Sequence, residues 1–251
     1  MPDYLSVSQI TLYLNCSLHY YFRYIEEREP ERHFAALAFG KAIHSALASF
    51  HESLKDGKPL PVEEFQRLFR ADWAAETTEP LYYANSDTPE SLLELGQTLL
   101  AEYAQVCRFE VVEAEHRFEV PLCDPDTGEV LCDKPLVGIY DLVTPEGIVE
   151  FKTAKSVPDA GQLARHLQLS AYAYAFSFKE RRMPTLMFVH LLKLKKPRVE
   201  MTAVVRENKH LQFFTRCALA VARGIEANIF APNPGWGCAN CEYARVCGEW
   251  P

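Results

Sequence analysis

Two carboxylates and an ammonium group fall together in the stretch GIYDLVTPEGIVEFK, residues 138–152, as Asp141, Glu150 and Lys152. β-Forming residues run from Val137 to Val143, Thr144-Pro145-Glu146-Gly147 is a turn signal, and Ile148 to Lys152 is a second short run. The pattern predicts a hairpin. Side chains alternate faces along a strand, so Glu150 and Lys152, two apart, point the same way. Carboxylates gathered on one small sheet surface are costly if buried. A divalent cation resolves that cost, because hard ions take carboxylate oxygens and cancel their repulsion.

A second group of ligating side chains is of the soft kind. Cys238, Cys241 and Cys247 are spaced C-x2-C-x5-C in the Pro/Gly-rich segment PNPGWGCANCEYARVCGEW. Three thiolates so close in a turn-rich segment point to zinc or an iron–sulfur cluster, and their number does not choose between the two. Tetrahedral ligation needs a fourth. Cys16, in SVSQITLYLNCSLHYYFR, is the best placed. Cys107, Cys123, Cys132 and Cys217 are weaker, with Cys123 and Cys132 flanking a hairpin loop. In a cytoplasmic protein eight cysteines are better explained by ligation than by disulfides.

Elements able to position these groups lie on either side. Helices are expected over Ser6–Arg23, Phe34–His51, Val62 to Thr77 and Pro89 to Arg108, with a polar loop at 52–62 and a Pro- and Asn-bearing loop between the last two. His44 sits beside the Ile43, Leu47, Phe50 stripe, where an ordinary half-buried histidine is the plain alternative to a ligand. From Val111 the period changes to two, giving a strand to Leu122. After the hairpin come a loop (153–160), a helix over Gly161–Arg181, strands over 184–193 and 199–205, and a helix over Asn208–Ile229. Gln168 and Tyr172, four apart, share a helical face. The order predicts an α/β fold, a central mixed sheet with helices on both faces. It is expected as a single domain (1–251) with a helical insertion at 52–110 and a cysteine-rich segment at 231–251.

With 48% hydrophobic residues the chain can bury a full core. No run approaches the roughly 18 uninterrupted apolar residues of a membrane span. The first residues lack the charged lead and apolar core of a signal peptide, so a cytoplasmic protein without membrane attachment is expected. The formal charge of −8 is unevenly spread: residues 1–150 hold 11 Lys/Arg against 27 Asp/Glu, and residues 151–251 hold 15 against 7. A basic half can attract a polyanion despite an acidic total.

Asp141, followed after a short turn by Glu150-Phe151-Lys152, resembles the signature of the PD-(D/E)XK nuclease superfamily. The GKAIH helix ending in His44, the GIYD and EFK strands, and the QLSAY helix with Gln168 and Tyr172 sharpen the likeness to its RecB-like exonuclease branch. One early cysteine with a late C-x2-C-x5-C is similar to that branch's iron–sulfur subgroup, which includes the CRISPR-associated RecB-like exonucleases and AddB-type nuclease domains. The resemblance implies a restriction-endonuclease-like sheet. It also implies a 4Fe–4S cluster on Cys16, Cys238, Cys241 and Cys247, a staple joining the termini, and a manganese or magnesium ion on His44, Asp141, Glu150 and the Phe151 carbonyl.

Lys152 is implied to orient or deprotonate the attacking water, its pKa lowered by desolvation and the cation. Gln168 and Tyr172 are implied to position the scissile phosphate or support Lys152. The expected activity is metal-dependent DNA hydrolysis, as an exonuclease on single strands in CRISPR adaptation, recombination or repair, or phage replication. The alternative is a DNA-binding or processing subunit of a helicase–nuclease or CRISPR integration complex. A zinc-ribbon regulator with an incidental acidic hairpin is the remaining reading.

Overall fold

The computed structural model describes residues 2–84 and 87–250. Asn85 and Ser86 of the expected Pro- and Asn-bearing loop lie outside them. The strands are β1 (Leu5–Ser6), β2 (His33–Phe34), β3 (Leu81–Tyr82), β4 (Glu113–Cys123), β5 (Val130–Val143), β6 (Gly147–Ala154), β7 (Thr185–Leu192) and β8 (Arg198–Val204). The helices are α1 (Val7–Asn15), α2 (Ser17–Tyr20), α3 (Ala35–Lys55), α4 (Val62–Glu76), α5 (Pro89–Val106), α6 (Ala160–Ala164), α7 (Leu167–Glu180), α8 (Asn208–Glu226) and α9 (Ala244–Gly248).

The expected mixed sheet has the order β1-β5-β6-β7-β8, with β4 paired to β5. β6 and β7 run parallel, while β4 with β5, β5 with β6, and β7 with β8 are antiparallel. Gly147 opens β6 because a Cβ there would lie 2.0 Å from the Thr185 carbonyl oxygen. One sheet face carries Phe118, Tyr140, Ile148 and Phe188 beneath α1, α7 and α8. The other carries Val149, Phe151, Val189 and Leu191 beneath α3, α4 and α5. Phe39, Phe65, Phe69, Trp73 and Leu99 fill that second layer, so α4 and α5 contribute core as well as cover. Alternation along β6 therefore aims Glu150 and Lys152 at the α7 side.

Two expected helices are broken, both where distant chain makes contact. The helix expected over 6–23 stops at Cys16, which is extended at φ −162° and ψ 106°. Beyond it Ser17 and Leu18 bond Ala231, and residues 21–25 close in wider π-type turns. The helix expected over 161–181 is split at Arg165–His166, and His166 caps α7 through Nδ1 on the Leu169 N–H. The buried Arg206 guanidinium sits at this break, donating to the carbonyls of Leu163 and His166 at 2.7 and 3.3 Å, which also accept the His166 and Ser170 N–H groups. Smaller differences are a longer β5, and β6 running on to Ala154 in place of the start of the expected loop.

The early and late segments meet in a clasp. Tyr13 donates its hydroxyl to Ile229 O at 2.6 Å, Asn233 reaches Asn15 O at 2.8 Å, and Tyr243 donates to Arg28 O at 2.7 Å. Glu242 accepts from His19 and Arg23 at 3.2 and 3.4 Å. Leu18, Phe22 and Tyr243 form a small core of their own beneath it.

Candidate active site

The site begins where β5 and β6 stop pairing. Their ladder holds at Leu142–Val149 and Val143–Ile148. Beyond it the Asp141 carboxylate fills the gap, with Oδ2 accepting the Phe151 N–H at 2.8 Å. That bond satisfies a donor that a neighbouring strand would otherwise take. A strand residue's N–H and C=O face the same edge, so the Phe151 carbonyl opens into the same gap. From the other side α3 brings His44, whose Nδ1 lies 3.3 Å from Asp141 Oδ1.

A carboxylate that sequence reasoning missed completes this corner. Glu115 falls opposite Asp141 in the β4–β5 register, between the pairs Ala114–Leu142 and His116–Tyr140. Its backbone is left-handed, with φ 50°, a costly conformation for a residue with a side chain. Both strands change faces around it: Ala114 and Leu142 pack under α3–α5, but Phe118 and Tyr140, at the same alternation, pack under α7. His44, Glu115 and Asp141 each present a ligand atom within 4.8 Å of the others.

Glu150 is 1% exposed and lies deeper. Lys152 Nζ lies 2.6 Å from its Oε1 as a charge pair, and no neutral donor reaches either Glu150 oxygen among the described residues. Burial, then the Asp141 charge, push the Glu150 carboxyl well above the usual range. Burial alone would also raise Asp141, but the His44 bond and charge, with the Phe151 N–H, bring it below its ordinary value. His44 is raised: desolvation opposes its charge, and Asp141 outweighs that. Burial lowers Lys152, while Glu150 and Asp141 together hold it above an ordinary lysine.

Gln168 and Tyr172 come together as expected, but they act on the backbone. Gln168 Nε2 donates to the Tyr172 hydroxyl at 2.9 Å, and that hydroxyl donates to Ile139 O at 2.6 Å. The chain ties α7 to the GIYD strand beside Gly138, where any Cβ would strike the Phe118 ring at 2.4 Å.

Behind Phe151 sits His51, fully buried, with Nε2 2.7 Å from the Tyr103 hydroxyl and its ring stacked on Phe151 at 5.3 Å. Burial pushes this imidazole down to about 4. In the unfolded chain it protonates near 6.5, so as pH falls the unfolded state binds the proton first. Stability is then lost between about pH 6.5 and 4, by roughly 3 kcal/mol if the shift is fully expressed. His51→Phe is expected to flatten that part of the melting temperature against pH. An unchanged slope would contradict a buried neutral His51.

Cys16, Cys238, Cys241 and Cys247 line one cavity of 590 Å³ between α2 and the late segment. No three of their sulfurs lie within 4.8 Å of one another among the described residues. Burial raises the Cys241 and Cys247 thiols, and the charges of Cys16 and Cys238 raise them further. Cys107, Cys123, Cys132 and Cys217 lie outside the cavity lining.

Among the described residues, no helix is long and apolar enough to cross a membrane. Of solved structures, one named "Putative exonuclease" from Eubacterium rectale aligns with a TM-score of 0.57 at 12% identity, covering 99% of this chain and 88% of that one. A structure titled SSO0001 aligns with a TM-score of 0.39 at 14% identity, covering 88% and 87%. No curated protein matches. The first alignment shows a shared fold, and the family described as the PD-(D/E)XK nuclease superfamily matches residues 4–248. A family match of that extent, over a sheet that splays at Asp141 and Glu150, means that the chain belongs to the PD-(D/E)XK nuclease superfamily.

Proposed function

We propose that this protein is a metal-dependent deoxyribonuclease, working as an exonuclease on single strands in DNA processing. The observation that carries the reading is the corner formed by His44, Glu115 and Asp141 beside the buried Glu150, which lies against Lys152 alone among cations. Oxygen and imidazole donors around a buried carboxylate suit a divalent cation, and histidine favours manganese over magnesium. His44, Asp141, Glu150 and the Phe151 carbonyl would hold it, with Glu115 as a further donor. Bound there, the ion would neutralise phosphate charge and lower the pKa of water. Lys152 would hold that water or a phosphate oxygen. Its side chain is 39% exposed, so it can reach a substrate while still paired to Glu150. Gln168 and Tyr172 would fix the strand on which Asp141 rides.

The resemblance to the iron–sulfur subgroup supports a 4Fe–4S cluster on Cys16, Cys238, Cys241 and Cys247, which line one cavity. The resemblance to RecB-like exonucleases supports the single-strand preference, a helicase or integrase partner, and a cytoplasmic setting.

The test is labelled single-stranded DNA incubated with the protein and manganese, with and without chelator. Degradation that chelator abolishes, and that Lys152→Ala reduces by about 10³-fold, is the expected result. A Lys152→Ala protein cleaving at the wild-type rate would overturn the site assignment.

A further inference from the structure

A groove of 640 Å³ leaves the catalytic corner on the α7 side, and its lining differs from the corner itself. Lys152 closes one end. Ser8, Thr11 and Asn15 of α1 form one wall, and Arg165, His166 and Gln168 form the other. The lining contains no carboxylate, although the chain carries a net charge of −8 and the adjoining corner holds Glu115, Asp141 and Glu150. Arg165 is exposed and has no ion-pair partner among the described residues. Ile139, 46% exposed, supplies an apolar patch in the floor.

The wall bearing Arg165 is held rigidly. Arg206, 5% exposed, donates Nε to Ser170 Oγ at 3.0 Å and Nη2 to the carbonyls of Leu163 and His166. A buried guanidinium whose acceptors are all neutral is costly, and here it braces the α6–α7 break, where Arg165 faces the groove. Cationic and hydroxyl donors without acids, beside an apolar patch and continuous with a catalytic lysine, match the chemistry of a sugar–phosphate backbone.

We propose that this groove seats the DNA strand next to the scissile phosphate, with Arg165, Ser8 and Thr11 binding a neighbouring phosphate and Ile139 packing on its sugar. The proposal rests on the nuclease reading of the corner and names the strand's path beside it.

The test uses a short fluorescein-labelled single-stranded oligonucleotide. Binding is measured by anisotropy with calcium in place of manganese across a salt series, and cleavage with manganese. Arg165→Ala is expected to weaken binding and raise KM about tenfold, with kcat within about twofold. The slope of log Kd against log salt should fall by about 0.7, the value of one phosphate contact on a single strand. Arg165→Lys should restore the slope. Thr11→Val should weaken binding without altering the slope, and Lys58→Ala, in the loop after α3, should change nothing.

Wild-type affinity and slope in Arg165→Ala, with its melting temperature unchanged, would overturn the groove while leaving the nuclease standing. A protein that binds with an Arg165-dependent slope yet cleaves nothing would overturn the nuclease reading and leave the groove standing. Wild-type protein that binds no DNA would overturn both.

Discussion

Glu150→Gln is expected to lose nuclease activity by about 10³-fold or more while making the metal-free protein more stable. The two effects have one origin. Glu150 is fully buried and faces Asp141, and its counter-charge is the half-exposed Lys152 at 2.6 Å. Without a metal ion the folded protein must either protonate this group or bury a charge that Lys152 offsets less than burial and Asp141 oppose it, and glutamine avoids both. The gain should be on the order of 2 kcal/mol at neutral pH, or roughly 4–8 °C in melting temperature for a chain of this size. Manganese should raise the wild-type melting temperature by mass action and leave the variant nearly unchanged. Melting curves with and without manganese, beside a cleavage assay, read all three effects. A variant that melts below wild type without metal, or gains as much from manganese, would contradict the assignment of Glu150 as a ligand.

Cys238→Ala should act on the whole molecule. Ligation through Cys16 and the three late cysteines would close a loop of more than two hundred residues, for which chain entropy alone gives about 5 kcal/mol. The expected outcome is loss of visible absorbance together with a fall of roughly 10–20 °C in melting temperature. Cys217→Ala, outside the cavity, should keep the colour. Asp141→Ala should also keep it while losing activity, which separates the hard and soft sites. Colourless wild-type protein holding stoichiometric zinc after anaerobic purification would overturn the iron–sulfur assignment.

The hairpin was legible because its signals are local: a turn tetrapeptide between alternating runs, with Glu150 and Lys152 two apart. The mixed sheet followed from the order of elements. Glu115 was not legible. Its place beside Asp141 depends on the β4–β5 register and on a left-handed backbone at a glutamate, and no local pattern marks either. The breaks at Cys16 and at Arg165–His166 escaped for a related reason. Apolar periodicity runs through both, and the groups that meet the breaks, near Ala231 and at Arg206, lie far along the chain.

The clasp also sets an order in time. Tyr13 and Arg28 bond Ile229 and Tyr243, partners 216 and 215 residues further along the chain. At about 5–20 residues per second, a ribosome takes roughly 10–40 s to make the second half of each pair after the first. Throughout that interval α1, one wall of the groove, lacks its bond to Ile229, and in the last part of it the hairpin bearing Asp141 and Glu150 has already been made. A newly made chain therefore acquires its acidic corner before it acquires a firm wall beside it, and the closing step waits on Ile229 and Tyr243.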